Sequence, residues 1–176
     1  MFQHGRLKVR SSAEEAARKK TEQAQKVLAY RTGMTKILEK TRANQYDSEL
    51  MLMTSLILCK NPDVSMLWNI RRTCILEKQQ SDEENIAGEM FKKDLDFTES
   101  CLLANPKSYC IWHHRCWILE HSPEPKWQQE VEVCTRYLKM DERNCKLSQV
   151  FDKCAVFNIY SFFVKKSMYG ITDATL

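Results

Sequence analysis

Lys107 is the residue whose position most strongly indicates chemistry. The order Asn105-Pro106-Lys107 predicts a helix capped by Asn105 with Pro106 at its first position, so Lys107 falls in the first turn. A cation there opposes the helix dipole at a cost of about a few tenths of a kcal/mol. Beside free helix N-terminal amides it would form an anion site, with a solvated lysine as the alternative. Tyr109 and His113, four residues apart, share another face of the same helix.

The adjacent pair His113-His114 raises the question of a metal site. Neighbouring residues on a helix point about 100° apart, so the two imidazoles cannot both ligate one ion. Cys110 and Cys116 lie nearby, but the chain contains no C-x-x-C pair and no close cluster with ligand spacing. The sequence therefore predicts no metal site in this chain. Helical spacing instead places His114 near the face that carries Lys107.

Other catalytic signatures are missing from the sequence. It has no glycine-rich phosphate loop, no serine-nucleophile motif and no paired carboxylates in a recognisable setting. Arg71 and Arg115 each follow a tryptophan by three residues, and we expect them to bond the carbonyl end of a neighbouring helix or a carboxylate. These arginines are structural candidates, and the chain alone has no self-sufficient active site.

An internal repeat organises the chain. Residues 61–72 superpose on residues 105–116 at an offset of 44, with Asn, Pro, Trp and Arg at matching positions. A period near 40 residues built from two helices is typical of an α-solenoid. Trp68 and Trp112 lie mid-helix, where a large ring fills the gap between hairpins, and both are predicted to be core residues. A third copy begins at residues 138–144, at an offset of 36 from the second.

Composition and caps both favour an all-α fold. The 176 residues include only 4 Gly and 4 Pro, which are too few for the turns of a sheet protein. Capping patterns and apolar spacing predict antiparallel hairpins of helices. The predicted helices are one capped at Ser11-Ser12 and ending near Asn44, one capped at Asp47, one beginning at Pro62, one opened by Ser81 and ending at Asn105-Pro106, one from Tyr109 to about His121, and one from Trp127 to Met140.

The repeat pattern predicts one helical-repeat domain at 1–144 and a divergent tail at 145–176. The repeats lie near 47–78 and 87–121, with a partial third from 124. In that third copy Ser148 and Phe151 occupy the positions of the repeated Trp and Arg. The tail contains no Glu, Arg or Trp, and its apolar block lacks helix caps. We expect a loosely placed or poorly ordered ending, and an alternatively spliced or truncated product is its simplest cause.

Charge and cysteine content exclude several classes of protein. With 27 Lys+Arg against 23 Asp+Glu, the net charge of +4 is too small to indicate nucleic-acid or anionic-membrane binding. No run of 18 apolar residues occurs and no secretory signal is recognised, so neither a transmembrane segment nor export is expected. The 8 cysteines are therefore predicted to be reduced, mostly buried thiols of a cytoplasmic protein.

The repeat motifs resemble the alpha-subunit repeats of protein prenyltransferases, and within them those of the Rab geranylgeranyltransferases. The resemblance covers about residues 4–144. It is carried by Gly5-Arg6-Leu7-Lys8-Val9, Asn105-Pro106-Lys107-Ser108-Tyr109, Trp112-His113-His114-Arg115-Cys116-Trp117 and Pro123-Glu124-Pro125. The second repeat is the more specific of the two.

The resemblance implies a heterodimer in which a crescent of helical hairpins wraps a beta subunit that holds zinc and the lipid. The pair transfers geranylgeranyl from geranylgeranyl diphosphate to C-terminal cysteines of Rab GTPases presented by a Rab escort protein. By motif match, Lys107 would contact the diphosphate leaving group, with Tyr109 lining the same surface. Because the chain departs from the family after its second repeat, we expect the isolated chain to be inactive. The alternative is a non-catalytic helical-repeat scaffold for protein interactions, which the period of 44 and the N-P-K-S-Y motif disfavour.

Overall fold

The chain folds into helices joined by short connections. The computed structural model describes residues 12–80, 84–141 and 148–156, and within these ranges all regular structure is helical. This confirms the all-α prediction. The helices are α1 (Ala13–Arg42), α2 (Ser48–Leu58), α3 (Ser65–Gln80), α4 (Glu84–Ala104), α5 (Tyr109–His121) and α6 (Trp127–Met140), followed by a helical segment at residues 148–156.

The chain divides into two compact units, one up to Gln45 and one from Tyr46 onward. The first contains α1, whose N-cap Ser12 accepts a hydrogen bond from the Glu15 amide at 3.2 Å. The helix ends beside Asn44, which adopts a left-handed φ of 53°. Asparagine tolerates that conformation, and it prevents the helical hydrogen bonds from continuing. The predicted cap and end of this helix are confirmed.

The second unit is a stack of antiparallel helices. Asp47 caps α2 by accepting a hydrogen bond from the Leu50 amide at 2.8 Å, as its sequence pattern predicted. Helix α2 contacts α3, α3 contacts α4 and α4 contacts α5, and α3 also contacts α5. Packed neighbours with short connections run in opposite directions, so each consecutive pair forms a hairpin. The observed bounds of α5 and α6 match the predicted ones.

Two tryptophans form the centre of this stack. Trp68 and Trp112 are each only 1% exposed, where the repeat pattern places them. The Trp68 ring lies 5.8 Å from that of Phe97 on the next helix, and Trp112 meets Tyr137 of α6 edge-on at 5.4 Å. Each ring therefore contacts the helix that follows its own hairpin, which explains its spacing of one per repeat.

Two predicted helix starts differ from the structure: the start of α3 at Pro62, and the start at Pro106 that a cap at Asn105 implied. Pro62 and Pro106 do not begin helices, since α3 starts at Ser65 and α5 three residues after Pro106. The indole nitrogen of Trp68 donates to the Pro62 carbonyl at 2.7 Å, and that of Trp112 donates to the Pro106 carbonyl at 2.9 Å. Because each proline carbonyl faces the core rather than the helix axis, the chain makes a turn before the helix begins.

Part of the predicted tail is structured. Residues 148–156 are helical, and Cys154 is fully buried in a cluster with Cys116, Leu119 and Trp127. Within the described residues this part of the tail is therefore a helix that contacts the core through Cys154, and the loosely placed ending stays a prediction. The apolar block of the tail lies outside the described residues, as do the Gly5–Val9 motif and the predicted cap at Ser81. The block consists of Phe157, Tyr160, Phe162, Phe163 and Val164.

Candidate functional site

The connection between α4 and α5, which we call the junction loop (residues 105–108), carries the lysine singled out by sequence. The Ser108 amide donates to the Asn105 carbonyl at 3.1 Å, and Pro106 is tied to the core through the Trp112 indole. Ser108, rather than Asn105, occupies the N-cap position of α5. The sequence assignment of the cap was therefore wrong by three residues.

Lys107 lies outside the helix as a consequence. It precedes the N-cap residue, so the argument that it opposes the helix dipole from the first turn is wrong. Its side chain is 77% exposed, whereas His114 is fully buried, so the two do not share a face as predicted. The Lys107 ammonium instead pairs with the Asp141 carboxylate, with Nζ and Oδ2 2.9 Å apart. Asp141 follows the last residue of α6.

The junction loop is also joined to the preceding hairpin. The Ser108 hydroxyl donates to Oδ1 of Asp63 at 2.6 Å, and Asp63 occupies the position equivalent to Lys107 one repeat earlier. The loop is therefore connected backward through Ser108 and forward through Lys107. Three successive junctions of the stack thus lie along one edge, which we call the junction edge (Asp63, residues 105–108 and Asp141).

Tyr109 and His113 are both exposed on α5, in agreement with the shared face that their four-residue spacing predicted. Tyr109 is the first helical residue and is 49% exposed, next in sequence to the exposed Lys107. The Nδ1 atom of His113 contacts Nη2 of Arg72 at 2.9 Å. Burial and the charge of Arg72 lower the pKa of His113 below its usual value, so this imidazole is neutral near pH 7.

The two repeat arginines occupy equivalent polar sites. Arg71 donates through Nη1 to the Met51 carbonyl at 2.8 Å and to the Thr54 hydroxyl at 2.9 Å. Arg115, 44 residues later, donates through Nη1 to the carbonyl and the hydroxyl at equivalent positions of α4, at 2.9 Å and 2.8 Å. Each guanidinium therefore bonds the preceding helix in the same way. This repeated bonding explains why arginine recurs three residues after each tryptophan.

Each arginine also meets a buried carboxylate on the following helix. Arg71 binds Asp94 through Nε and Nη2, and Arg115 binds Glu130 through the same two atoms. Glu130 outweighs the effect of burial and raises the pKa of Arg115. Asp94 and Glu130 are 36 residues apart, the offset found between the second and third repeats. Sequence reasoning missed both carboxylates, although superposition at that offset could have found them.

His114 completes the first of these polar sites. Its Nε2 lies 2.8 Å from Oδ2 of Asp94, and its Nδ1 accepts from Nε of Arg72 at 3.3 Å. An Nδ1 that accepts is unprotonated, so the imidazole is neutral and donates through Nε2. Burial lowers the pKa of His114, against the opposing effect of Asp94. Burial raises the pKa of Asp94, but His114 and Arg71 outweigh it and hold the carboxylate ionised.

A groove of about 590 Å³ runs between α4, the end of α5 and α6. Its lining includes Arg115 and Glu130, whose hydrogen bonds to each other are already made. Lys107 and Tyr109 do not line it. The groove is therefore separate from the junction edge.

The described residues show neither a metal site nor a membrane-spanning helix. No group of three or more His, Cys, Asp or Glu side chains among them is arranged to hold a metal ion. His114, one of the two histidines considered as ligands, is committed to Asp94 and Arg72. No helix in the described ranges has the length and apolar character needed to cross a bilayer.

Comparison with known proteins identifies the repeat. A family model described as "Protein prenyltransferase alpha subunit repeat" matches residues 91–122, which include the junction loop and all of α5. Residues 91–122 therefore match one repeat of the protein prenyltransferase alpha-subunit family. The matched residues also contain Asp94, Trp112 and Arg115, so the family pattern coincides with the repeated polar and aromatic contacts of the core.

The relatives share one name. The proteins called "Geranylgeranyl transferase type-2 subunit alpha" in Sus scrofa and Homo sapiens are each 48% identical over 143 residues, covering 80% of this chain. The protein of that name in Dictyostelium discoideum is 33% identical over 144 residues. The aligned part spans 25% of each mammalian relative and 46% of the Dictyostelium protein. This chain therefore corresponds to one portion of its relatives.

Proposed function

We propose that this chain acts as alpha-subunit repeats of a heterodimeric protein geranylgeranyltransferase in the cytoplasm. The observation that carries the proposal is the 48% identity to geranylgeranyl transferase type-2 alpha subunits. The substrates would be geranylgeranyl diphosphate and the C-terminal cysteines of Rab GTPases presented by a Rab escort protein. A prenyltransferase beta subunit would be the catalytic partner. The scaffold alternative has no observation in its favour beyond the helical-repeat fold.

Lys107 supplies the chemistry that this chain contributes. In the reaction, the bond between the first geranylgeranyl carbon and the diphosphate oxygen breaks, a carbon–sulfur bond forms, and the thiol loses its proton. Negative charge grows on the diphosphate as it leaves. A lysine ammonium beside that group stabilises the transition state more than the ground state, which raises kcat. The exposed ammonium of Lys107 has the access that such a contact requires.

Zinc belongs to the partner in this proposal. The described residues of this chain offer no group of ligands for it, so no step here depends on a metal held by this chain. A zinc ion in the beta subunit would supply a bound, reactive thiolate. Tyr109, next to Lys107 and 49% exposed, would line the same diphosphate surface with its phenol as a hydrogen-bond donor.

Two measurements test the proposal. The chain is co-expressed with a prenyltransferase beta subunit and purified as a complex, and transfer of radiolabelled geranylgeranyl to a Rab–escort complex is followed. We expect the Lys107→Ala variant of the complex to lose at least about tenfold in kcat, with KM for Rab unchanged. Lys92→Ala, an exposed lysine of α4, is the matched control. We expect the chain without a beta subunit to show no transfer.

The outcomes separate the alternatives. A stable complex with no transfer, or with transfer that Lys107→Ala leaves unchanged, would favour a scaffold role and remove Lys107 from the site. Absence of any complex with the beta subunit would contradict the proposed function itself. Lys107→Arg retains the charge, and partial recovery of kcat in that variant would support an electrostatic role.

A further inference from the structure

Asp141 is the carboxylate that holds Lys107, and nothing described above gives it a role in the reaction. Its Oδ2 lies 2.9 Å from Nζ of Lys107, and its side chain is 32% exposed while that of Lys107 is 77% exposed. Asp141 follows α6 directly, and its amide donates to the Tyr137 carbonyl at 3.1 Å. The carboxylate is thus fixed at a helix end, and the more exposed lysine side chain reaches toward it.

Hydrogen bonds on both sides of Lys107 hold its backbone in place. Ser108 is bonded to Asp63, and the Pro106 carbonyl is bonded to Trp112 inside the core. A diphosphate that contacts Lys107 in its observed orientation therefore meets the ammonium close to Asp141. An anion on the far side of the ammonium would be about 6 Å from the carboxylate, since each charged contact is about 3 Å long.

We infer that Asp141 is a positioning residue that weakens the binding of diphosphate to Lys107 and so favours release of the inorganic diphosphate product. This inference rests on the proposed function. At about 6 Å in water, repulsion between a carboxylate and a diphosphate with about three charges, screened by physiological salt, corresponds to about a fivefold change in dissociation constant. The free product carries at least as much charge as the esterified substrate, so the effect on the product is at least as large.

A second effect acts in the opposite direction. The carboxylate also orients the lysine, and losing that orientation weakens anion binding. An ion pair as exposed as this one restricts its side chains only slightly, so we expect the repulsion to dominate. Removing the negative charge of Asp141 should therefore tighten binding of diphosphate, and it should do so only while Lys107 is present.

The test is a double-mutant cycle on the complex of this chain with the beta subunit. Inhibition of geranylgeranyl transfer by inorganic diphosphate is measured for the parent, Asp141→Asn, Lys107→Ala and the double variant. We expect Asp141→Asn to lower the inhibition constant about three- to tenfold, to lower KM for geranylgeranyl diphosphate by no more than that, and to leave KM for Rab unchanged. Asp141→Glu, which keeps the charge, should restore the parent inhibition constant.

Each result has a defined meaning. If Asp141→Asn leaves the inhibition constant unchanged while Lys107→Ala raises it, the inference about Asp141 is overturned and the proposed function stands. If Lys107→Ala changes neither turnover nor inhibition, the role of Lys107 in the proposed function fails instead. An effect of Asp141→Asn that persists in the Lys107→Ala background would also overturn the inference, because it would not act through the lysine.

A measurement on this chain alone needs no partner. Lysines are labelled by reductive ¹³C-methylation, the Lys107 signal is assigned by its loss in Lys107→Arg, and inorganic diphosphate is titrated while NMR spectra are recorded. We expect the Lys107 signal to respond at about three- to tenfold lower diphosphate concentration in Asp141→Asn than in the parent. Equal midpoints in the two proteins would overturn the inference whatever the complex shows.

Discussion

Removal of the charge of Asp94 should destabilise the helical stack severely. This carboxylate is fully buried, and it accepts hydrogen bonds from Nε and Nη2 of Arg71 and from Nε2 of His114. Asp94→Asn keeps the size of the side chain but removes its charge and replaces one of its two acceptor oxygens with an NH2 group, which donates and cannot accept. The Arg71 guanidinium, whose side chain is only 4% exposed, then lacks a counter-charge.

The expected loss follows from the cost of an uncompensated buried charge. Breaking a buried ion pair on one side costs about 3–5 kcal/mol, and we expect the lower part of that range because Arg71 keeps its bonds to α2. Domains of this kind unfold with about 5–15 kcal/mol, so the substitution should remove a large share of the total. In urea a loss of about 3 kcal/mol lowers the unfolding midpoint by roughly 1–3 M.

The measurement is urea unfolding followed by tryptophan fluorescence, since Trp68 and Trp112 are both buried in the unit under test. Asp96→Asn is the matched control, because Asp96 is exposed on the same helix two residues later, and it should change the free energy of unfolding by no more than about 0.5 kcal/mol. A loss below about 1 kcal/mol for Asp94→Asn would refute the reasoning. It would mean that water or another group compensates Arg71.

Three further predictions concern other buried groups. Acidification below about pH 6.5 should lower the free energy of unfolding, because burial lowers the pKa of His114 and the unfolded chain takes up a proton that the folded chain does not. His114 contributes a slope of at most about 1.4 kcal/mol per pH unit. A slope that His114→Gln leaves unchanged would contradict this source. Trp68→Ala should lower the free energy of unfolding by about 3–5 kcal/mol. Trp112→Phe should lower it by about 1–3 kcal/mol, because the Pro106 carbonyl loses its indole donor. Denaturant titration measures both losses. Under native conditions iodoacetamide should modify the exposed Cys59 before Cys101, because burial raises the pKa of the Cys101 thiol to about 12; peptide mass spectrometry that finds equal rates would show that Cys101 is accessible.

The helices themselves were predictable from local chemistry. Ser12 and Asp47 are short polar residues placed before acidic first turns, and both accept a backbone amide as a cap should. The same method failed at Pro106, because its carbonyl bonds to the Trp112 indole six residues away. A side-chain bond from the core thus overrode the preference of proline for the first helical position. As a result Lys107 lies before the helix, and the dipole argument made for it does not apply.

The polar interior was not predictable in the same way. Asp94 and Glu130 look like surface residues in an amphipathic helix, and only their partners on α3 and α5 explain why they are buried. A buried carboxylate is recognised by its counter-charge, which here lies 23 and 15 residues away in sequence. The partner of Lys107 was missed for the same reason, since Asp141 lies on the far side of the next hairpin.

The interior and the junction edge of this chain use their polar side chains differently. Arg71 and Arg115 use their hydrogen bonds to fix one hairpin against the next, which leaves them unavailable to a ligand. The lysine at the junction pairs with Asp141 at the surface, in a solvent-exposed ion pair that contributes little to stability. Substitutions in the interior should therefore change the free energy of unfolding, whereas substitutions of Lys107 and Asp141 should change anion binding and turnover with the fold intact.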